Sequence, residues 1–375
     1  RSSRSAQSPR FEQPDQHSRI YQRNTPMSVT VSVKKAHDLV VLALKANLVP
    51  ILHGSPAIGK SAIVKEIAKQ FDLKLIDLRL SQCEPPDLQG FATVVNGRGT
   101  YVPMDFFPLD DDPLPLKKLK PGQENADSYR GWLLFLDELT SAQREVQSPA
   151  YKLILDKEVG NRALHPACAM VAAGNLETDG AIVEAMSSAL SSRLVHLEVQ
   201  VDTKEWLEWA NGAGLDHRVT SFIEFRPDKL YTFKPGFTDF TYSSPRTWEF
   251  VNGILQHEAP NTANIALFAG AVGEGLAREF RAFCDLQDRF PKFDNIVSNP
   301  STTAVPSEPS VLYALCGALA ANTTEANADA VMTYLRRMPA EFQVVSVRSM
   351  YQRNKRLLGN THVNEWMRET GSVFF

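Results

Sequence analysis

The stretch ILHGSPAIGKSAIVKEI, residues 51–67, constrains this chain more than any other. An apolar, strand-like run meets two backbone-permissive glycines, and a Lys-Ser pair then opens an apolar helix. Residues 54–61, GSPAIGKS, fit the pattern GxxxxGK(S/T) in the strand–loop–helix setting that gives it meaning. Gly54 and Gly59 let the main chain curl so that successive N–H groups point inward, toward phosphate oxygens. The positive end of the following helix adds to that attraction. In such a loop Lys60 reaches the β- and γ-phosphates of a nucleoside triphosphate, and the Ser61 hydroxyl ligates Mg²⁺. The candidate nucleotide-binding residues are Gly54, Ser55, Pro56, Ala57, Ile58, Gly59, Lys60, Ser61 and Ala62. A glycine-rich turn that merely closes a strand is the alternative, and the flanking strand and helix argue against it.

The run WLLFLDE, residues 132–138, supplies a second half: a fully apolar strand that ends in two carboxylates. Open α/β sheets bind ligands at the carboxyl ends of their strands, so Asp137 and Glu138 are expected to face the phosphates. Phosphoryl transfer needs charge neutralised by a metal and a nucleophile held in place. Asp137 is assigned to Mg²⁺, directly or through water, and Glu138 to polarising the attacking water.

The remaining pattern sets the fold class. VKKAHDLVVLALKANL and SAIVKEIAKQF have helical spacing, the latter repeating at Ile63, Ile67 and Phe71. VPILH, LKLIDLRL, ACAMVAAGN and LVHLEVQ read as strands, and FATVVNGRGTYVPM as a hairpin around a glycine-containing turn. Residues 105–130 are rich in Pro and Asp and read as a loop. SAQREVQSPAYKLILDKE is helical in pattern, with Pro149 expected to kink or split it. Apolar strands alternating with helices signify a parallel sheet covered on both faces. Beyond VQVDT the segments read as helices, among them NIALFAGAVGEGLAREFRAFCDLQDRF. The expected fold is therefore α/β. A P-loop NTPase core spans 27–201, and a helical lid 202–290. A Pro/Ser/Asn linker covers 291–309, and a helical C-terminal extension 310–375. Residues 1–26 are polar and read as a disordered arm, or as residues ahead of a start at Met27.

Composition narrows the partners. A net charge of -3 gives no general pull toward nucleic acid or an anionic membrane. Cys83, Cys168, Cys284 and Cys316 are far apart, without metal-ligand spacing, and are expected to be reduced, buried thiols. No apolar run approaches the roughly 18 residues of a membrane helix, and no leader pattern opens the sequence. A cytoplasmic protein is the expectation.

At these residues the chain resembles the AAA+ ATPases, and within them the MoxR-like group, over about residues 30–260. Beyond the two nucleotide motifs the resemblance rests on DLRLSQCEPPDLQGF, DELTSAQREVQSPAYKLILDKEV, AAGN and SSPRT. It implies ATP as the nucleotide. It implies that Asn175 is the sensor-1 residue, which helps position the hydrolytic water or γ-phosphate. Arg193 matches the arginine finger, which sits on a protein edge and enters the neighbouring subunit's site; Arg162 is an alternative. Arg246 matches sensor 2, near the start of a lid helix opened by Pro245. The hairpin tip, Asn96, Gly97, Arg98 and Gly99, matches an insert that faces a pore or substrate in related ATPases, and a plain turn explains those residues equally well. The resemblance implies a homo-oligomeric ring, a hexamer, that remodels or matures a client protein, with a von Willebrand factor A domain protein as a partner.

The chain departs from the pattern in three places. Ala57 stands where a third glycine is common, Pro149 interrupts a helix, and residues 105–130 have no counterpart. A nucleic-acid-associated motor is an alternative function, kept open by the basic stretch RSMYQRNKRLLGN. A nucleotide-gated assembly protein with little turnover is another.

Overall fold

The computed structural model describes residues 29–118, 126–176, 179 and 186–374, with side chains to residue 370. The arm expected over residues 1–26 lies outside them. Among the described residues there are ten strands: β1 (Thr30–Ser32), β2 (Val49–His53), β3 (Lys74–Arg79), β4 (Phe91–Val95), β5 (Arg98–Val102), β6 (Trp132–Asp137), β7 (Glu158–Val159), β8 (Arg162–Ala163), β9 (Cys168–Gly174) and β10 (Leu194–Gln200). Six form one sheet in the order β1-β10-β2-β9-β6-β3, and every pair in it is parallel. Its central strands are buried on both faces, which is why they read as unbroken apolar runs rather than alternating ones. β1 is too short to carry a periodic signal.

Helices α1 (Val33–Lys45) and α2 (Lys60–Gln70) cover one face, packing Ala36, Val40, Ile63, Val64 and Ile67 against Leu52, Leu133, Phe135 and Val171. The other face is covered by α3 (Pro85–Gln89), α4 (Arg144–Asp156) and α5 (Ser188–Ser191), through Leu88, Val146, Ala150, Leu153 and Leu190. This is the P-loop NTPase architecture expected from the sequence. Pro149 does not split α4. The helix runs through it, because the buried stripe of Val146, Ala150, Leu153 and Ile154 outweighs one missing backbone hydrogen bond.

β4 and β5 form the expected hairpin outside the main sheet. Asn96 and Gly97 have φ of 51° and 73°, the left-handed pair that closes a two-residue turn with the twist of the strands. Phe91, Val94, Val95, Tyr101 and Val102 are exposed on it. The stretch 105–118 is anchored rather than loose. Phe107 is buried in the core, Leu109 bridges to Leu164, and Leu116 bridges to Ser128. Residues 119–125 lie outside the described residues.

The helical part begins with α6 (Thr203–Gly212), α7 (His217–Phe225), α8 (Pro245–Leu255), α9 (Ile265–Val272) and α10 (Glu274–Cys284). Phe222 is its centre, with Trp248 and Phe280 at ring-centroid distances of 5.5 and 5.3 Å. The apolar segment expected as one helix is two, because Gly273 at φ 92° turns the chain between α9 and α10. The stretch expected as a linker carries α11 (Phe293–Ser298), whose Ile296 is fully buried among the C-terminal helices. Those are α12 (Pro309–Asn322), α13 (Ala328–Leu335), α14 (Ala340–Arg353) and α15 (Thr361–Phe374). Cys168, Cys284 and Cys316 are buried free thiols, but Cys83 is only half-buried, since it lies in the turn past the end of β3. Among the described residues no helix is long and apolar enough to cross a membrane.

Candidate functional site

The connection between β2 and α2 is a loop of residues 54–59 over the carboxyl edge of the sheet. Two glycines make it possible. A Cβ on Gly54 would stand 2.4 Å from Ile58 Cδ1 and 2.7 Å from the Val199 carbonyl oxygen, so no larger residue fits. Gly59 caps α2 at φ 109°. Ala57, where a glycine is the commoner choice, is held at φ 63°.

Lys60 is the first residue of α2 and is buried to 9% exposure. Its Nζ donates to the carbonyl oxygens of Gly54 (2.5 Å) and Ser55 (3.0 Å) and to Asn175 Oδ1 (3.2 Å). Burial pulls this amine down to about 8, with Asp137, Asp179 and Glu138 opposing the shift and Arg246 adding to it. Ser61 Oγ donates to Asp137 Oδ2 at 3.3 Å, so the two expected metal-holding groups already touch. The other Asp137 oxygen accepts from the Glu138 backbone N–H at 2.9 Å. Burial raises the Asp137 carboxyl above its ordinary range, and the Glu138 N–H bond works the other way.

Glu138 follows β6 in the left-handed region, at φ 57°. Its carboxylate accepts a hydrogen bond from Ser81 Oγ, in the turn after β3. Parallel pairing sets Arg79 opposite Asp137, which places the residues after each strand side by side. Asn175 follows the last residue of β9. Its main chain is gripped by Thr140, whose Oγ1 accepts from Asn175 N–H (3.0 Å) and donates to Asn175 O (3.2 Å). Lys60, Ser61, Asp137, Glu138 and Asn175 thus converge at one edge of the sheet.

Arg193 does not join them. It is exposed beyond α5, where its Nη1 donates to Ala189 O (2.7 Å) and Ser192 Oγ (3.0 Å) and its guanidinium lies 5.0 Å from the Tyr151 ring centre. The alternative, Arg162, is ion-paired with Asp110 (2.9 Å) and Asp111 (2.5 Å). Arg246 is the second residue of α8, after Pro245 and the capping Ser244, and is exposed. Its charge is among those acting on Lys60.

Four contributors carry no motif in the sequence: Ser81, Thr140, Asp179 and Tyr231. Ser55 Oγ donates to Asp179 Oδ1 at 3.2 Å, and burial raises this carboxyl above its ordinary range. Tyr231 OH donates to the Pro56 carbonyl at 3.2 Å, tying the helical part to the loop. Beside that contact a cavity of about 420 Å³ opens between the sheet edge and the helical part, lined by Thr30, Ser55, Leu176, Glu198, Gln200 and Tyr231 among others.

No family model matches this chain, and no curated protein matches it. Solved structures do. NtrX from Brucella abortus is 14% identical, with 92% of this chain and 70% of that one covered and a TM-score of 0.37. The RuvB Holliday junction branch migration motor of Thermotoga maritima is 16% identical, with 81% and 86% covered and a TM-score of 0.35. Likeness at this level concerns fold alone, and the site rests on its own geometry.

That geometry fits a magnesium–triphosphate. Gly54 lets the loop pack closely against Ile58 and β10, and Lys60 stands at the head of α2 with its amine on the loop carbonyls of Gly54 and Ser55. Ser61 and Asp137 offer the hard oxygen donors that Mg²⁺ takes, few in number, as suits a metal that also binds phosphate.

Proposed function

We propose that this chain is an ATP-hydrolysing enzyme of AAA+ type, MoxR-like, that works as a homo-oligomeric ring, a hexamer, to remodel or mature a partner protein complex. The observation that carries the ATPase reading is the meeting of Lys60, Ser61, Asp137 and Asn175 at the head of α2. The loop amides and Lys60 would bind the phosphates, and Ser61 and Asp137 would hold Mg²⁺. Bound Mg²⁺ supplies charge neutralisation at the phosphates. Glu138 orients the attacking water once its carboxylate leaves Ser81, and Asn175 holds its place through Thr140. Arg193, exposed and turned from its own site, is available to a neighbouring subunit, which is what supports the ring. A client protein, and a von Willebrand factor A domain partner, belong to this reading by resemblance.

The nucleic-acid reading has less to draw on, with Lys355 and Arg356 the exposed basic residues of the tail stretch. Arg348 pairs with Glu224, and Arg353 donates to Leu215 O at 2.8 Å and Thr220 Oγ1 at 3.1 Å, so two of the basic side chains in the tail stretch are spent internally.

Nucleotide titration and phosphate release test the proposal together. Lys60→Ala is expected to weaken ATP binding by at least tenfold, since a buried charged partner of phosphate is lost. Glu138→Gln is expected to keep ATP binding and lose turnover. Unchanged affinity in the first variant, or normal turnover in the second, refutes the assignment.

A further inference from the structure

The sheet face beneath α4 is apolar except at its carboxyl end. Val49 and Ile51 of β2 and Leu194 of β10 are buried in it. The next residues of the same parity are His53 and His196, which strand alternation sends to the same side. Their rings are nearly coplanar, at 5° with centroids 5.1 Å apart, and His53 Nε2 lies 2.8 Å from His196 Nδ1. His196 Nε2 lies 2.9 Å from the Ser191 carbonyl oxygen and 3.2 Å from Ser191 Oγ.

This chain of contacts fixes its own protons. A carbonyl oxygen only accepts, so His196 Nε2 carries hydrogen. With that ring neutral, Nδ1 is the acceptor, and His53 Nε2 donates to it. Both rings are satisfied while neutral. Burial first, then any charge on His196 and the charge of Lys60, holds His53 down to about 4.

The two ends of the chain are functional. His53 immediately precedes Gly54 of the phosphate loop. Ser191 ends α5, and Arg193 is fastened to that helix by its backbone N–H on Leu190 O (3.1 Å) and its guanidinium on Ala189 O. We infer that His196 is a positioning residue that joins the phosphate loop, through His53, to α5, and so sets where Arg193 is held for the neighbouring subunit. Loop movement at one site is passed along two imidazoles to the arginine that completes the next. This rests on the reading of Arg193 as acting in trans.

Mixed rings test it. His196→Phe keeps a ring of similar size and removes both nitrogens. It is expected to bind ATP within about threefold of the parent and to lose at least about tenfold in turnover, a loss of transition-state stabilisation alone. His196→Gln, which can still donate and accept, is expected to recover part of that turnover. Mixed with Glu138→Gln subunits, His196→Phe should regain activity, because its sound sites then meet sound arginines. Mixed with Arg193→Ala subunits it should not, because every arginine is then missing or displaced. The opposite pattern puts the fault in the variant's own phosphate loop and overturns the inference, as does full turnover in His196→Phe. If Arg193→Ala and Glu138→Gln fail to complement each other, the ring reading itself falls, and the inference with it. ¹⁵N shifts of the wild-type imidazoles, expected to place hydrogen on Nε2 of both rings, check the proton order whatever the assembly. Hydrogen on His196 Nδ1 refutes it.

Discussion

Ala57 carries a backbone conformation that its side chain resists. An alanine in the left-handed region costs about 1–2 kcal/mol, and this one sits at φ 63° in the middle of the phosphate loop. Glycine would remove that cost and add about 0.5–1 kcal/mol of unfolded-state entropy. Ala57→Gly is therefore expected to leave the melting temperature of the nucleotide-free protein level or raise it by up to roughly 2 °C; a fall in Tm would show that the loop is not strained there. Lys60 yields a second expectation. Its amine titrates at about 8 because it is buried. A bound phosphate favours the ammonium, so above pH 8 binding must take up a proton. Nucleotide affinity should be flat from pH 6.5 to 7.5 and fall by about tenfold per unit above 8, by calorimetry in buffers of different ionisation heat. Affinity independent of pH up to 9.5 would contradict this. Lys60, Ser61, Asp137 and Glu138 were legible in the sequence because each belongs to a contiguous pattern that names its job. Ser81, Thr140, Asp179 and Tyr231 were not, since each reaches the site from a different segment, and no spacing along the chain encodes which strand ends lie side by side.

At the scale of elements, the central strands are legible as unbroken apolar runs and the longer helices by their 3.6-residue spacing. Failures came where one residue contradicted its neighbours. Pro149 reads as a break by its local cost, and the buried stripe of α4 overrules it. Gly273 lies inside an apolar run with helical spacing, yet its φ of 92° ends one helix and begins another. Ile296 was lost in a stretch of Pro and Ser, although it fills a core. The joint between β9 and the turn after β6 shows how tightly elements meet at the site. A Cβ on Gly174 would lie 2.4 Å from Thr140 Cγ2 and 3.0 Å from Thr140 Cβ, and a β-branched side chain has little room to turn away. Gly174→Ala is expected to cost about 1–3 kcal/mol by overpacking. It should also shift Asn175 away from Lys60, lowering turnover more than affinity. A urea midpoint and ATPase rate equal to the parent's would show that Thr140 does not fix Asn175.

At the scale of the whole molecule, the C-terminal helices sit on the helical part formed by α6–α10 through α12. α12 is buried on opposite sides, with Ala314 in the lid core and Leu312, Leu315 and Leu319 in the C-terminal core. That is why it reads as apolar all round rather than as an amphipathic helix. The closest approach is Gly317 against α7. A Cβ there would stand 1.7 Å from Ser221 Oγ and 3.1 Å from the His217 carbonyl oxygen, and Ser221 Oγ itself donates to that carbonyl at 2.5 Å. The helical part reaches the phosphate loop through Tyr231, so a wedge between α12 and α7 has a route to the site through that contact. Gly317→Ala is expected to destabilise the protein by about 1–3 kcal/mol, measured by denaturant unfolding. Ser221→Ala in the same chain should return part of that loss, because it removes the nearest atom. The double-mutant coupling is the decisive quantity: strictly additive effects would mean that α12 and α7 do not meet as described, and that the tail is not part of the lid's foundation.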